Sequence, residues 1–333
     1  MINGMTVIDA DGHIRERDDD LQKYLGPEHA HRWRPFYPLD NWDRYFGGKR
    51  GKMVYDAPTR LTDMDTEGID VQVLYPTNGL SIGLVREPRW AADLCRAYND
   101  FLAEVCRQTP RLKGVALLPA QNPREALKEV ERALGLGLVG VLFTCHGHGK
   151  NLGKEEFFPI YEACQALNLP VTFHANSYGT IGTERFDTFL CTHAVAFPFE
   201  IMIQLTAVVM EGIPELFPRL KLAFLEAGCG WIPFWMDRLD GEYEKRAPEA
   251  PRLKAKPSDY MKCGRIFYSC DSDEETIPYV LEKIGDDILL YASDYPHWDM
   301  HFPHSVSDLV KQPIPDASKK KIFHDNPKRL YTL

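Results

Sequence analysis

The chain has 333 residues, 44% hydrophobic and 26% charged, with 24 Gly, 24 Pro and a formal net charge of −9. This ordinary globular composition excludes collagen-like, low-complexity and disordered classes, and leaves room for one large domain or two small ones. The acidic balance argues against nucleic-acid binding, which needs clustered Lys and Arg; the one dense basic run, Lys319 to Lys321, reads as a solvated helix face.

Eight cysteines (Cys95, Cys106, Cys145, Cys164, Cys191, Cys229, Cys263 and Cys270) form no C-x-x-C pair, so neither a zinc ribbon nor a dithiol redox motif is spelled. Cys145 and Cys229 read as small buried hydrophobes rather than nucleophiles. The N-terminus lacks the basic-then-apolar pattern of a signal peptide, and no apolar run reaches the roughly 18 residues of a membrane span. The expectation is a cytoplasmic protein with reduced thiols and no membrane partner.

Short runs rich in Val, Ile, Leu and Phe, each followed by a turn and a segment of helical period, set the architecture. The first strand is expected over 6–11. An aperiodic stretch from Arg15 to Arg60 follows, carrying Trp33, Phe36, Tyr37, Trp42, Tyr45, Phe46 and a basic tip at Lys49 to Lys52. Connections of this length inside a compact domain are commonly functional, and 17–61 reads as a cap over one mouth of the fold. Strands are then expected over 71–75, 113–118, 139–143, 171–174, 221–225, 265–269 and 288–292. The helices fall over 90–108, 123–134, 155–167, 198–213, 232–245, 274–284 and 317–330, the last with a break at Pro327. The Pro-rich stretch 246–258 reads as a surface excursion.

Strands apolar on both faces and alternating with helices imply a parallel sheet, and eight such units suggest an α/β fold of the (β/α)8 TIM-barrel type. No Gly/Ser linker divides the chain, so one domain over 1–333 is the simpler count. In such a barrel the reacting residues sit at the C-terminal ends of the strands. Those ends read Asp9-Ala-Asp11-Gly-His13-Ile-Arg-Glu16, Phe173-His174-Ala-Asn176, Leu225-Glu226-Ala-Gly228 and Ser293-Asp294-Tyr295-Pro296-His297. Ionisable groups gathered in an apolar mouth need a compensating partner, which a divalent metal ion supplies. Asp11 and His13, two apart, face one side of an extended strand and can share one ion. Imidazole with carboxylate suits zinc first, with manganese or iron(II) as other fits, and one or two ions.

These residues, together with Phe217-Pro-Arg-Leu-Lys221, Glu226-Ala-Gly-Cys-Gly-Trp231, Ser293-Asp-Tyr-Pro-His297 and Asn326-Pro-Lys-Arg-Leu-Tyr331, resemble the amidohydrolase superfamily. More narrowly, they resemble its branch related to aminocarboxymuconate semialdehyde decarboxylase. The resemblance runs from Val7 to Tyr331 and implies a metal-dependent barrel that hydrolyses or decarboxylates small organic acids. By position it implies Asp11 and His13 as the strand-one ligand pair, His174 as the strand-five ligand, and Asp294 as the aspartate that binds metal and handles protons. Two departures stand out: Asp11 replaces the commoner His, and Glu226 replaces a His that activates water or polarises a carbonyl. Strand four ends in Phe143-Thr-Cys-His146 and offers no lysine for a carbamate bridge.

The catalytic candidates are Asp294, Glu226 and His193, and the metal candidates Asp11, His13, His174, Asp294 and Glu226. Glu16 and His297 are candidates for a second ion or for supporting hydrogen bonds. Glu226 reads equally as ligand, base or acceptor for Arg185 or Arg238. The aromatic cap points to an apolar or aromatic small-molecule substrate, with Trp42, Asn176 and His146 facing it and Arg15, Arg185 and Arg238 available for its carboxylate. His148 and Asp271 are lesser candidates. Rival readings are a non-heme di-iron oxygenase, motivated by the carboxylate-rich ligand set, and a barrel that binds a metal or ligand without catalysis. A homodimer through outer helices is the expected assembly.

Overall fold

A computed structural model describes residues 4–38, 54, 56–176 and 181–333. Eight strands lie side by side in sequence order: β1 Ile8–Ile14, β2 Val71–Pro76, β3 Leu112–Leu117, β4 Gly140–Thr144, β5 Val171–His174, β6 Leu222–Leu225, β7 Ile266–Cys270 and β8 Leu289–Tyr291. Every neighbouring pair is parallel. Just past β8 the circle closes on β1: Asp294 N–H donates to the Asp11 carbonyl (3.0 Å) and His13 N–H to that of Tyr295 (2.7 Å). The TIM barrel is thus present, with each expected strand in place.

Side-chain alternation sorts the strand residues between barrel interior and helical shell. Phe143, Phe173, Phe224 and Tyr268 are register neighbours on β4 to β7 and form a ladder of stacked rings. The ladder packs against Phe157 and Trp231 of the outer shell. His174, next to Phe173, therefore points into the barrel mouth.

Three helical features differ from the sequence expectation. The helix Ala57–Glu67, capped by Asp56, begins at the end of the stretch read as aperiodic and runs on where no helix was expected, because its buried face mixes Ala57 and Met64 with the polar Arg60, Asp63 and Glu67. Arg60 donates to the His13 carbonyl (2.5 Å) and to Gln72 Oε1 (2.6 Å). Asp63 accepts from the Tyr295 hydroxyl, and Glu67 accepts from Ser305 Oγ and Val306 N–H, both at 2.8 Å. This face therefore grips both β1 and the segment following β8.

The helix expected from Pro198 begins at Phe189 instead and runs 22 residues to Met210, with Thr188 accepting the Cys191 N–H (3.4 Å) and Pro198 inside it. By length and composition it could cross a membrane, against the sequence expectation, yet half of that apolar window is buried in the barrel wall. The break expected at Pro327 lies upstream, as a π turn over Lys321–Asp325 leading into the helix Asn326–Tyr331. A ring that cannot donate a helical hydrogen bond is accommodated in this way.

Candidate active site

The end of β1 carries Asp9, Asp11 and His13, all buried. Asp9 accepts from Ser293 Oγ (2.6 Å), Ser293 N–H (3.0 Å), Gln72 Nε2 (2.7 Å) and Asp11 N–H (3.2 Å). It thereby ties β2 and the end of β8 to the strand that carries Asp11 and His13. Burial pushes its carboxyl up to about 6 against the hydrogen bonds from Ser293 and Gln72.

Asp11, His13 and His174 converge in the mouth. His13 Nδ1–H donates to the Pro76 carbonyl (2.8 Å) and His174 Nδ1–H to the Ala175 carbonyl (2.7 Å), which leaves each Nε2 with a lone pair. Those two nitrogens lie 3.7 and 3.5 Å from Asp11 Oδ1, and all three atoms are buried without a hydrogen-bond partner. Three acceptors face one another with no donor between them. Such an arrangement is costly unless a cation sits among them, and ligands bound at about 2.1 Å to one ion lie roughly 3–3.5 Å apart. The backbone carbonyls that fix both rings complete the usual support of a metal-binding histidine. The residues present fit a divalent metal.

On the far side of His13 stand Asp294, Glu226 and His297. Asp294 Oδ1 lies 3.2 Å from His13 Nε2 and 2.7 Å from His297 Nδ1. Glu226 Oε2 lies 3.0 Å from His174 Nδ1, and Oε1 lies 4.0 Å from His297 Nδ1. Thr77 Oγ1, 3.2 Å from His297 Nε2, fixes that ring. Both acidic residues occupy the left-handed backbone region, with φ of 58° at Glu226 and 53° at Asp294. Single non-glycine residues there cost of order 1 kcal/mol or more; here Ser269 Oγ takes the Glu226 N–H (2.9 Å) and the Asp11 carbonyl that of Asp294 (3.0 Å). Loss of bulk water, and then mutual repulsion among Asp11, Glu226, Asp294 and Asp299, hold the Asp294 and Glu226 carboxyls well above the ordinary range.

A cavity of about 410 Å³ opens over this cluster, lined by Asp11, Glu226, Asp294, His193 and Asp299 among others. His193 Nε2 lies 3.2 Å from Asp299 Oδ2, and its ring contacts Phe189, Phe197 and Trp298. Asp271 lines the same cavity.

Other candidates lie elsewhere. Glu16 does not face the cluster: its carboxylate accepts the backbone N–H groups of Thr77 (3.2 Å) and Gly79. Asn176, buried past β5, donates to Ser81 Oγ (3.4 Å). His146 is buried in the loop after β4, which packs so tightly on the turn after β2 that a Cβ at Gly83 would lie 2.0 Å from the His146 carbonyl oxygen. His148 donates to the Thr144 carbonyl (3.0 Å). Arg185 is exposed and donates to Gly182 of its own turn (3.0 Å), while exposed Arg238 pairs with Glu242 (3.0 Å). Neither is paired with Glu226. Trp42, Tyr45, Phe46 and the basic tip lie outside the described residues; Phe36 and Tyr37 of the same stretch are buried and Trp33 is exposed. Cys145 and Cys229 are buried, which pushes both thiols up and keeps them unreactive. Asp9 and Asp299 are absent from the sequence-derived set, although Asp9 shares the spacing of Asp11 and His13 and Asp299 sits two residues past His297.

Glu16 supplies a test of its own. Burial raises its carboxyl from 4.5 to about 7 against the amides of Gly79 and Thr77. The folded chain therefore holds a proton that the unfolded chain has released, and stability falls as pH rises from about 4.5 to about 7. Glu16→Gln is expected to flatten that part of the melting-temperature profile; a profile parallel to the parent's contradicts this.

Residues 27–333 match the amidohydrolase family, and the chain belongs to that family of metal-dependent enzymes. It is 28% identical over 246 residues to 2-amino-3-carboxymuconate-6-semialdehyde decarboxylase of Dictyostelium discoideum, covering 73% of this chain and 67% of that one. It is 27% identical over 313 residues to gamma-resorcylate decarboxylase of Polaromonas, covering 90% and 93%. The crystal structure of a dihydroxybenzoic acid decarboxylase from Polaromonas, with manganese and the inhibitor 2-nitroresorcinol, superposes with a TM-score of 0.78 at 23% identity over 99% of this chain and 97% of that one.

Proposed function

We propose that this enzyme removes carbon dioxide, without oxidation, from a small aromatic or ring-cleavage-derived carboxylic acid. The observation that carries this reading is Asp294, a carboxyl set between His13 Nε2 (3.2 Å) and His297 Nδ1 (2.7 Å) at the edge of a three-acceptor metal site, on a cavity at the small end of ligand-pocket volumes. The decarboxylases to which the chain is similar support the reaction class.

A divalent ion held by Asp11, His13 and His174, with Asp294 beside them, supplies Lewis acidity toward a substrate oxygen. Asp294 delivers its proton to the carbon that bears the carboxylate. The carbon–carbon bond then breaks, carbon dioxide leaves, and the electron pair of the broken bond stays on the substrate carbon, so one carboxylate anion and one proton give one CO2 and the decarboxylated product. His297, 2.7 Å from Asp294, is placed to return a proton to it. The ring of Phe197, which lines the cavity beside the His193–Asp299 pair, offers a wall for a flat substrate. Zinc, manganese and iron(II) suit these donors, and the manganese in the Polaromonas structure supports manganese as the first ion to load. The exposed apolar residues Leu190, Phe199, Ile203 and Phe234 support a homodimer.

Hydrolysis uses the same residues, so gas release is the discriminating measurement. The chain loaded in turn with Mn(II), Zn(II) and Fe(II) is incubated with a panel of hydroxybenzoic and ring-cleavage acids while CO2 is recorded. Release from at least one acid is expected; no release from any acid in any metal form overturns the reading.

A further inference from the structure

We propose that the substrate carries an apolar chain on its ring, seated in a second hollow that opens off the catalytic cavity. That hollow, of about 440 Å³, is lined by Phe189, Leu190, His193, Ala194 and Trp298. His193 and Ala194 line the catalytic cavity as well, so the two spaces adjoin along one helix. Phe189, His193 and Phe197 are spaced by four residues in the helix Phe189–Met210 and share a face of it. That face leads from the hollow, past His193, to the wall of the catalytic cavity, a span of about 12 Å at 1.5 Å per residue.

The two spaces differ in chemistry. The catalytic cavity gathers Asp11, Glu226 and Asp294 at the strand ends, with Asp271 and Asp299 also in its wall; in the hollow, His193 is the one polar side chain among the described lining residues. Phe189 and Trp298 lie edge to face at 6.2 Å, and each also meets the His193 ring, at 5.2 and 5.7 Å. Phe189 is buried, while Leu190 is 76% and Trp298 43% exposed. Large apolar side chains left in water at the edge of a reaction cavity gain when an apolar group covers them. A substrate whose acid group sits at the metal end therefore lays a chain of a few carbons over Phe189, Ala194 and Trp298; for the acid group alone, this inference rests on the decarboxylase reading. Leu190 also belongs to the apolar face assigned above to a homodimer, so association is one outcome of the test.

The probes are 2-nitroresorcinol, which has no carboxylate to lose, and its homologues with methyl to butyl chains on the ring carbon opposite the nitro group or on one beside a hydroxyl. Their dissociation constants are read by calorimetry on the Mn(II)-loaded chain, and its association state by sedimentation. For at least one ring position, binding is expected to tighten about three- to fourfold with each added methylene, the size set by burying one such group. Ala194→Phe, which fills the hollow, is expected to cancel this gain, and Leu190→Gln, at an exposed position, to reduce it; circular dichroism confirms that both variants fold. Constants independent of chain length at both positions, or no binding at any length, overturn the proposal, as does a gain kept in full by Ala194→Phe. So does a dimer that dissociates in Leu190→Gln while chain length has no effect, which gives the surface to a second copy. CO2 release from unsubstituted acids, read separately, decides the decarboxylase reading.

Discussion

Asp294→Asn is expected to lower CO2 release by about 10²- to 10⁴-fold, the contribution typical of a placed general acid, while the variant folds and still binds metal. The amide keeps the shape of the side chain and one oxygen toward His13 and His297, 3.2 and 2.7 Å away in the parent, but carries no acidic proton. The parent's pH profile follows from the direction of the shift. Removal from bulk water, and then Glu226, Asp299 and Asp11, raise the Asp294 carboxyl well above its ordinary 3.8. The proton is therefore present on the acidic side of that raised value and is lost as pH climbs through it, so turnover should fall on the alkaline limb. Initial rates across pH for parent and variant check both statements; an Asn variant with parental turnover removes Asp294 from the proton path.

The eight strands were legible because a strand buried on both faces must be a near-continuous apolar run, whatever its neighbours are. The same rule hid the helix Ala57–Glu67, whose inward residues Arg60, Asp63 and Glu67 meet polar partners on β1, β2 and the segment after β8. A polar face reads as solvent-facing when its partners are distant in sequence. Asp11, His13, His174, Glu226 and Asp294 were legible because barrel topology brings strand ends together, so residue type at those ends suffices. Glu16 was legible only as a pair of alternatives, for a local reason: β1 ends at Ile14, strand alternation stops there, and the carboxylate turns to the amides of Gly79 and of Thr77, the residue that fixes His297, which is the supporting role of the two expected for it. Asp9 and Asp299 were not read, since their importance lies in what they hold, Ser293 and His193, and that pairing exists only after folding.

Stripping the metal is expected to abolish turnover and to lower the melting temperature by on the order of 5–10 °C, with both restored by Mn(II). The stripped chain leaves Asp11 Oδ1 and the Nε2 atoms of His13 and His174 buried against one another without a donor. An ion bound only by the folded chain stabilises it by about 4 kcal/mol at a thousandfold excess over its dissociation constant. For a domain above 250 residues each kcal/mol moves the transition by roughly 2 °C, which sets the size of the shift. His13→Ala separates metal binding from other consequences of chelation. His13 is the one residue shared by both clusters in the mouth, and its loss takes a ligand atom from the first cluster while relieving crowding among the acceptors. The variant should melt at the same temperature with and without Mn(II), and neither form should turn over substrate. A parent whose melting temperature ignores both chelator and Mn(II), or a His13→Ala chain that keeps the full Mn(II)-dependent shift, would show that these three side chains hold no ion.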